Sequence, residues 1–272
     1  MATLRELRKR LKSIRTTGQL AGAMRTVATA KYAKVSAVKY GFTRYASRLA
    51  EAELTAGSVP REDMPEASEK GKPVYVLMSG NRGLCGGYNH ELFQFFTSII
   101  KEEEEPLIVT CGRMARDFCS EKKLPVIREF PVSDVPSFGE ARDASVFLTE
   151  LFDKGFASEV IFISQRFYNM LRQKPEKLRF LPAEEGADEG PTGETLFIPD
   201  RETVVRELRP LTLAAKTYDV LLGVASGAQA ATLMAMRSAY DNAETSSQSL
   251  ETAINRMRQA QVTAEMIETQ GF

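Results

Sequence analysis

Apolar residues recur at every seventh position along the first fifty residues of the chain. The stripe consists of Leu7, Ile14, Ala21, Ala28, Val35, Phe42 and Leu49. A second stripe beside it changes phase, from Leu4 and Leu11 to Met24, Val38, Tyr45 and Ala52. Seven-residue spacing of small and apolar residues is typical of helices that wind around one another. Residues 1–58 are therefore predicted to form a coiled-coil helix. Thr3 is placed as its N-cap, because Glu6 follows at capping-box spacing.

A second heptad pattern occupies the other end of the chain. Its seam is read as Met236, Ala239, Ala243, Ser246, Leu250, Ala253, Met257, Ala260, Ala264 and Ile267. Neither glycine nor proline occurs from Ala228 to Gln270, which favours one long helix. Pro210 stands where a first helical turn could begin. Residues 208–272 are predicted to form this helix and to pair with the first in a long antiparallel coiled coil.

The middle of the chain changes period, and strands alternate with helices. Strands are predicted at Val74–Met78, Leu107–Thr110, Val126–Arg128 and Val160–Ser164, with edge strands at Leu178–Leu181 and Leu196–Ile198. Helices are predicted around Leu92–Ile100, Arg113–Lys122 and Glu140–Lys154. This order predicts a Rossmann-like α/β domain with a mostly parallel sheet over residues 73–200. Thr55–Lys72 is interpreted as a linker and the acidic stretch Ala183–Glu194 as a loop.

Charge is balanced overall but is unevenly distributed along the chain. There are 36 basic and 36 acidic residues, yet Glu6 is the only acid in the first fifty residues, which contain twelve cations. A basic helix predicts an anionic partner, which could be nucleic acid, lipid or an acidic protein surface. A removable mitochondrial targeting segment is disfavoured, because the apolar stripe continues to Leu49. No uninterrupted apolar run approaches the length that spans a bilayer, so no direct membrane insertion is expected.

The glycine-rich segment Gly80–Gly87 follows a predicted strand and precedes a helix, which is where phosphate-binding loops occur. However, it has neither a Gly-Lys-Ser/Thr ending nor Gly-x-Gly-x-x-Gly spacing, so tight turns and close packing are the preferred explanation. Cys85 with His90 could form a nucleophile and base, but no third orienting group is evident, and a buried cysteine is favoured. Three cysteines without zinc-ligand spacing and a single histidine predict neither a metal nor a cofactor.

The C-terminal helix carries a group of hydrogen-bond donors. Asn255, Arg256, Arg258 and Gln259 lie within about one turn of each other. Arginine in such a group can make forked contacts with carboxylates of another protein. A solvated helix face is the alternative, and periodicity does not decide between them. Binding of nucleic acid by the basic helix is disfavoured, because the cations accompany a sealed apolar seam and an α/β insert follows.

Three segments resemble the γ subunit family of F-type ATP synthases. Ala23–Lys31 resembles the family motif K-A/T-M-x-x-V-A-x-x-K, and Gly83–Asn89 resembles its R-G-L-C-G-x-x-N loop. Residues 234–260 resemble the C-terminal signature of the family through Met-Ala-Met, Asp-Asn-Ala and Asn-Arg-Met-Arg-Gln-Ala. The segments occur in the family's order across nearly the whole chain.

The resemblance implies a rotating shaft without catalytic residues of its own. In this family the terminal helices lie inside a ring of α and β subunits, and the α/β domain meets the ε subunit and the membrane c-ring. Proton or sodium flow turns the ring and shaft, and this couples ion flow to ATP synthesis or hydrolysis. A peripheral position on the cytoplasmic face of the bacterial inner membrane is expected, because the start at Met1 looks uncleaved. The matrix side of the mitochondrial inner membrane is the alternative.

The resemblance also implies partner contacts. Met24, Arg25 and Lys31 are expected to face the ring near its acidic β-subunit lever. Higher up, the ring's catch loops are expected to meet Arg256, Arg258 and Gln259. The apolar bearing at the tip is expected to lie near Glu265 and Ile267. The chain departs from the family at Ala228 and Thr232, where a Glu and an Arg four residues apart are usual.

Two other classes of protein fit parts of the pattern. A freestanding α/β enzyme with helical arms would show activity or ligand binding as an isolated chain. A coiled-coil scaffold or nucleic-acid protein would show salt-dependent binding to DNA or RNA. Co-purification with nucleotide-binding subunits separates both from a shaft.

Overall fold

The computed structural model describes residues 3–56, 71–101, 103, 105–182 and 196–270. They form two compact units: a helical unit from residues 1–29 with 232–272, and a sheet unit from residues 30–231. The predicted linker and acidic loop lie outside the described residues for most of their length. The elements follow one another as α1 (Leu4–Ala56), β1 (Lys72–Met78), α2 (Tyr88–Ile100), β2 (Leu107–Cys111), α3 (Arg113–Glu121), β3 (Val126–Phe130), α4 (Phe138–Asp153), β4 (Ala157–Asn169), β5 (Arg172–Leu181) and α5 (Arg201–Gln270).

The sheet unit contains a five-stranded sheet in the order β3-β2-β1-β4-β5. The first four strands are parallel, and β5 pairs with β4 in the antiparallel direction. This order is that of a doubly wound, Rossmann-like sheet with an added antiparallel edge. The predicted α/β class with a mostly parallel sheet is confirmed.

Helices cover both faces of the sheet, which explains why β1 is apolar throughout. Alternate residues of a strand point to opposite faces. Val74, Val76 and Met78 pack in the core on the face that α4 and the sheet-unit parts of α1 and α5 cover. Tyr75 and Leu77 pack against α2 and α3 on the other face. Both sets are therefore buried, as is usual for central parallel strands.

Two predicted strands differ from the structure. Leu196–Ile198 is not a strand; its Leu and Ile side chains are exposed. The edge of the sheet is instead β5, which is longer than the predicted Leu178–Leu181. The extra length arises because β4 and β5 continue to pair as a hairpin past Ile163, where the pairing of β4 with β1 ends. Alternation with exposed charges hid this extension in the sequence.

Helix α1 begins as predicted. The side chain of Thr3 accepts a hydrogen bond from the Glu6 backbone N–H, at 3.3 Å, and Glu6 Oε2 accepts one from the Thr3 backbone N–H, at 2.8 Å. These reciprocal bonds form the capping box. The helix extends to Ala56, and residues 57 and 58 of the predicted helix lie outside the described residues.

Helix α5 begins earlier than predicted. It starts at Arg201, and Pro210 lies inside it instead of in its first turn. The Asp200 carboxylate caps it by accepting a hydrogen bond from the Thr203 backbone N–H, at 2.8 Å. An Asp at this position satisfies a backbone donor that the helix itself leaves unpaired. The cap and the burial of Val205 outweigh the disruption that proline causes.

Within the helical unit, α1 and α5 pair in antiparallel fashion. Going up α1 from Arg15 through Gly18 to Gly22, the partners on α5 descend from Glu251 through Ala243 to Tyr240. The α1 stripe is at least half-buried along its whole length, as predicted. On α5 the predicted seam residues Leu250 and Met257 are half-buried, whereas Ser246 and Ala253 are exposed. Their neighbours Ser247 and Ile254 are half-buried and buried instead. The predicted seam was therefore one position too early at these two places only, because seven-residue spacing fits either choice.

Helix α5 also contains an 18-residue window with a mean hydropathy of 1.3 and few charges. Among the described residues it is the one helix that is long and apolar enough to cross a membrane. Half of the window is buried inside the protein, and the core helix of a folded domain can have the same length and hydropathy.

Candidate functional site: the glycine loop and the partner-contact segments

The glycine-rich segment after β1 is held by the chain itself. The Ser79 side chain accepts a hydrogen bond from the Ala115 backbone N–H, at 2.7 Å, at the start of α3. The Asn81 side chain accepts one from the Arg113 backbone N–H, at 3.1 Å, and donates one to the Val132 carbonyl. The N-terminal N–H groups of α3, which would bind a phosphate in a phosphate loop, are thus partly used by this segment. This arrangement favours the packing explanation over nucleotide binding.

Backbone conformation explains part of the glycine content. Gly112 has a φ of +95°, and a Cβ there would lie 2.2 Å from the Ser79 carbonyl oxygen. Leu84 also has a positive φ, +61°, and its side chain is 62% exposed. Non-glycine residues rarely adopt this conformation. The loop therefore holds an apolar side chain out to solvent at a strained position.

Asp134 joins the glycine loop to α1. Its carboxylate forms an ion pair with Lys31, accepts a hydrogen bond from Asn81 Nδ2 at 3.3 Å, and lies 3.6 Å from Arg82 Nε. The Lys31 and Asp134 side chains are each 24% exposed. Partial burial acts to raise the pKa of Asp134, but the hydrogen bonds from Lys31 and Asn81 and the nearby positive charges lower it overall. Asp134 is therefore ionised at neutral pH.

The second half of the loop holds Cys85 in a packed environment. Its side chain is 4% exposed, and its sulfur accepts a hydrogen bond from Asn89 Nδ2 at 3.2 Å. Burial raises the pKa of the Cys85 thiol. A nucleophile needs a lowered pKa or an adjacent base, whereas His90 is exposed. The predicted buried cysteine is confirmed.

Tyr88 joins the same loop to α5. Its hydroxyl donates a hydrogen bond to the Val224 carbonyl at 3.0 Å, and its own carbonyl accepts one from Gln165 Nε2 at 2.9 Å. A Cβ added to Gly227 would lie 2.9 Å from the Tyr88 hydroxyl oxygen, and one added to Gly80 would lie 2.9 Å from the Ala228 Cβ. The helix and the loop approach so closely that only small residues fit between them.

Ala228 is one of the two departures from the family pattern. It is buried in a small cluster with Cys85 and Tyr88. A glutamate in its place would bring a carboxylate into this apolar cluster. Ala228 therefore packs against the glycine loop. The second departure, Thr232, lies on α5 in the helical unit.

The predicted contact residues at the N-terminal end are divided between the units. Met24 and Arg25 belong to the helical unit, and the Arg25 guanidinium lies 5.0 Å from the centroid of the Tyr240 ring. That distance is within the range of a cation–π interaction. Lys31 belongs to the sheet unit, where Asp134 is its partner. The structure therefore gives Arg25 and Lys31 partners within the chain.

The predicted C-terminal contacts lie on the solvent side of α5. Arg256, Arg258 and Gln259 are exposed on either side of the half-buried Met257. Further along, Glu265 is exposed and Ile267 is 68% exposed. The three donors are thus brought together on one stretch of helix that is available to a partner.

Sequence reasoning missed the residues that fasten the loop. Asp134, Asn81 and Tyr88 were not singled out, although Asn81 stands in the glycine-rich segment Gly80–Gly87 and Tyr88 in the segment Gly83–Asn89 that resembles a family motif. Asp134 lies 103 residues from Lys31 in sequence, and no local pattern signals such a pair. Among the described residues, no group of three His, Cys, Asp or Glu side chains could hold a metal ion.

Comparison with known proteins covers almost the whole chain. The family model described as ATP synthase matches residues 3–271. An ATP synthase gamma chain of Moorella thermoacetica is 34% identical over 274 residues, which cover 98% of this chain and 97% of the relative. An ATP synthase gamma chain of Desulforamulus reducens is 30% identical over 278 residues, covering 100% and 98%.

Solved structures share the fold. A chain from the rotor of the Euglena gracilis mitochondrial ATP synthase aligns with a TM-score of 0.67 and 17% identity, covering 95% of this chain and 98% of that one. A chain from the central stalk and c-ring of the Tetrahymena thermophila mitochondrial ATP synthase aligns with a TM-score of 0.59 and 16% identity, covering 81% and 99%. Together with the matching family model and the bacterial relatives, these findings show that the chain belongs to the ATP synthase gamma chain family.

Proposed function

We propose that the chain is the central shaft of an F-type ATP synthase. It rotates inside the ring of α and β subunits and couples transmembrane proton or sodium flow to ATP synthesis or hydrolysis. The observation that carries the proposal is the antiparallel pairing of α1 with α5 in the helical unit, at Arg15–Glu251 and Gly18–Ala243. The solved structures with the same fold come from a rotor and from a central stalk with its c-ring, which supports this role.

The partners that follow are the α and β subunits, the ε subunit and the membrane c-ring. Nucleic acid is not among them, and the chain does not insert into the membrane. A structural neighbour from an assembly of OSCP, F1 and c-ring supports these partners. The bacterial relatives support a peripheral place on the cytoplasmic face of the inner membrane, and the mitochondrial matrix side is the alternative. The N-terminal helix 1–58, the α/β domain 73–200 and the C-terminal helix 208–272 are its proposed parts.

The chain contributes no catalytic residue to the complex. Buried Cys85 with its raised pKa is a poor nucleophile. The glycine loop accepts hydrogen bonds from backbone N–H groups at the start of α3 and packs against α5. These N–H groups therefore have a structural use. Both observations support a mechanical subunit rather than an enzyme in its own right.

The proposed ring contacts are Met24, Arg25 and Lys31 near the acidic lever, and Arg256, Arg258 and Gln259 at the catch loops. Glu265 and Ile267 are proposed to lie near the bearing. The exposure of Arg256, Arg258 and Gln259 supports the second group. Arginine on an exposed helix can bind carboxylates in forked geometry, and such contacts depend on charge sign.

Charge reversal tests the catch contacts. The double variant Arg256→Glu, Arg258→Glu is assembled with the other subunits, and ATP hydrolysis and ATP-driven proton pumping are measured in membrane vesicles. We expect both activities to fall, because each lost charge pair is replaced by repulsion. Arg237→Glu, an exposed position on the same helix, is the matched control. Unchanged activity of the double variant contradicts the catch assignment, and failure to co-purify with nucleotide-binding subunits contradicts the shaft.

A further inference from the structure

One segment of the sheet unit contacts both terminal helices. We name residues 79–89, which include the first two residues of α2, the clamp loop. On one side, Asn81 and Arg82 of this loop meet Asp134, which forms the ion pair with Lys31 of α1. On the other side, Tyr88 bonds to the Val224 carbonyl of α5. All of these residues belong to the same compact unit.

The contact with α1 is a closed polar network. The Asp134 carboxylate has three partners from two parts of the chain: Lys31 on α1, and Asn81 and Arg82 on the clamp loop. Asn81 is itself fixed, because its amide also donates to the Val132 carbonyl and accepts from the Arg113 backbone. Partly buried, hydrogen-bonded ion pairs hold a defined geometry better than exposed ones.

The contact with α5 depends on close packing. Gly80 and Gly227 permit approaches at which an added Cβ would meet Ala228 and Tyr88 at 2.9 Å. The Gln165 amide of β4, 1% exposed, donates to the Tyr88 carbonyl and so ties the loop to the sheet. Packed interiors transmit strain because they resist deformation.

We infer that the clamp loop fastens both helices to the sheet and transmits torque between the α/β domain and the helix pair, with Lys31 acting through Asp134 as a positioning residue. The transmission of torque rests on the proposed function, whereas the fastening of the helices to the sheet does not. It gives the segment that resembles a phosphate loop a mechanical role. It also gives Lys31 an internal role through Asp134, which competes with the ring contact proposed for Lys31 above.

A double-mutant cycle separates these two roles of Lys31. Lys31→Met, Asp134→Asn and the double variant are compared by thermal unfolding of the full chain and by proton pumping per ATP hydrolysed in the assembled complex. If Lys31 acts through Asp134, removal of either partner lowers the Tm by about 3 to 6 °C. The pumping ratio falls to the same extent in both, and the double variant is no worse than either single variant.

Lys34→Met is the matched control. It removes the same charge from an exposed position three residues further along α1, and it leaves the Tm and the pumping ratio unchanged. Additive losses of Tm and pumping ratio in the double variant would overturn the inference and would support the ring contact of Lys31. A non-additive Tm with unchanged pumping would overturn the torque role.

Failure of the proposed function gives a different result. In that case the wild-type chain does not assemble with nucleotide-binding subunits. The Tm values of the double-mutant cycle still test whether Lys31 of α1 acts through Asp134. Tyr88→Phe tests the contact of α5 in the same assays, since it removes the hydroxyl that bonds to Val224 and keeps the ring. A Tm and pumping ratio equal to those of the wild type would overturn that half of the clamp.

Discussion

Gly18 of α1 faces Ala243 of α5 so closely that a Cβ on the glycine would lie 3.1 Å from the alanine Cβ. This is the tightest helix–helix approach that the glycines of the helical unit mark, since the next, Gly22 against Tyr240, leaves 3.4 Å. Small residues on both helices allow their backbones to approach. The pairing of two helices that carry few large apolar side chains here depends on this fit.

Replacing Gly18 by leucine should separate the helices. The added side chain has no space opposite Ala243, and overpacking costs about 1 to 3 kcal/mol. We expect a lower Tm for the full chain by circular dichroism. Gly41→Leu is the control on the same helix, because nothing lies within 4 Å of its Cβ position. A destabilisation by Gly41→Leu equal to that of Gly18→Leu would show that the close approach is unimportant.

Gly227→Ala should destabilise the chain, whereas Gly223→Ala should not. Both replace a glycine in α5 by a better helix former, which contributes about 1 kcal/mol of stability. At Gly227 the new Cβ lies 2.9 Å from the Tyr88 hydroxyl, which is buried and bonded to Val224 and cannot move aside. At Gly223 the nearest atom is Lys39 Nζ at 3.8 Å. Urea unfolding of the two variants measures the difference; equal stabilities would contradict the tight packing.

The ion pair of Asp134 should make stability depend on pH in the acid range. The pKa of Asp134 is lowered in the folded chain, so its ionised form stabilises the fold. This contribution is fully present above the unfolded pKa of about 3.9 and is lost as the pH falls through the lower folded pKa. We expect the stability difference between wild type and Asp134→Asn to be constant from about pH 7 to pH 5 and to shrink below about pH 4.

Urea unfolding at each pH provides the measurement. Asp143→Asn, an exposed aspartate on α4, is the control for a general effect of charge. A stability difference that grows as the pH falls would mean that the carboxylate is not the stabilising form.

The three cysteines should react slowly with a thiol reagent in the folded chain. All are free and buried. Burial raises the pKa of Cys111 to about 12, and burial with a nearby Glu129 charge raises the pKa of Cys119 to about 11. Because the thiolate is the reactive form, we expect rapid reaction only after unfolding in urea. A fast thiol in the native chain that disappears in Cys85→Ser would restore the nucleophile interpretation of Cys85.

Periodicity predicted the fold well where long elements carry a strong pattern. The α1 stripe and the apolar β1 were both correct, because burial of every stripe residue leaves a signal along the whole element. The α5 seam was correct at Leu250 and Met257 but not between them, since seven-residue spacing fits Ala253 as well as Ile254. There the choice depends on which residue meets α1, and a single chain segment does not contain that information.

The candidate site was predictable in part for the same reason. The motifs pointed to the glycine loop and to Lys31, but not to the pairing of Lys31 with Asp134. That pair depends on sheet order, which brings the ends of β1 and β3 to the same edge. The early start of α5 depended on the Asp200 cap, a signal that was present in the sequence and overlooked in favour of Pro210.

The large sequence separation of the helix pair has a consequence during biosynthesis. Arg15 and Glu251 are 236 residues apart. At synthesis rates of about 5 to 20 residues per second, α1 leaves the ribosome roughly 10 to 50 s before its partner exists. During that interval α5 does not yet cover the apolar stripe of α1, which includes Ala21 and Ala28. The nascent chain therefore exposes this stripe for a period set by translation itself.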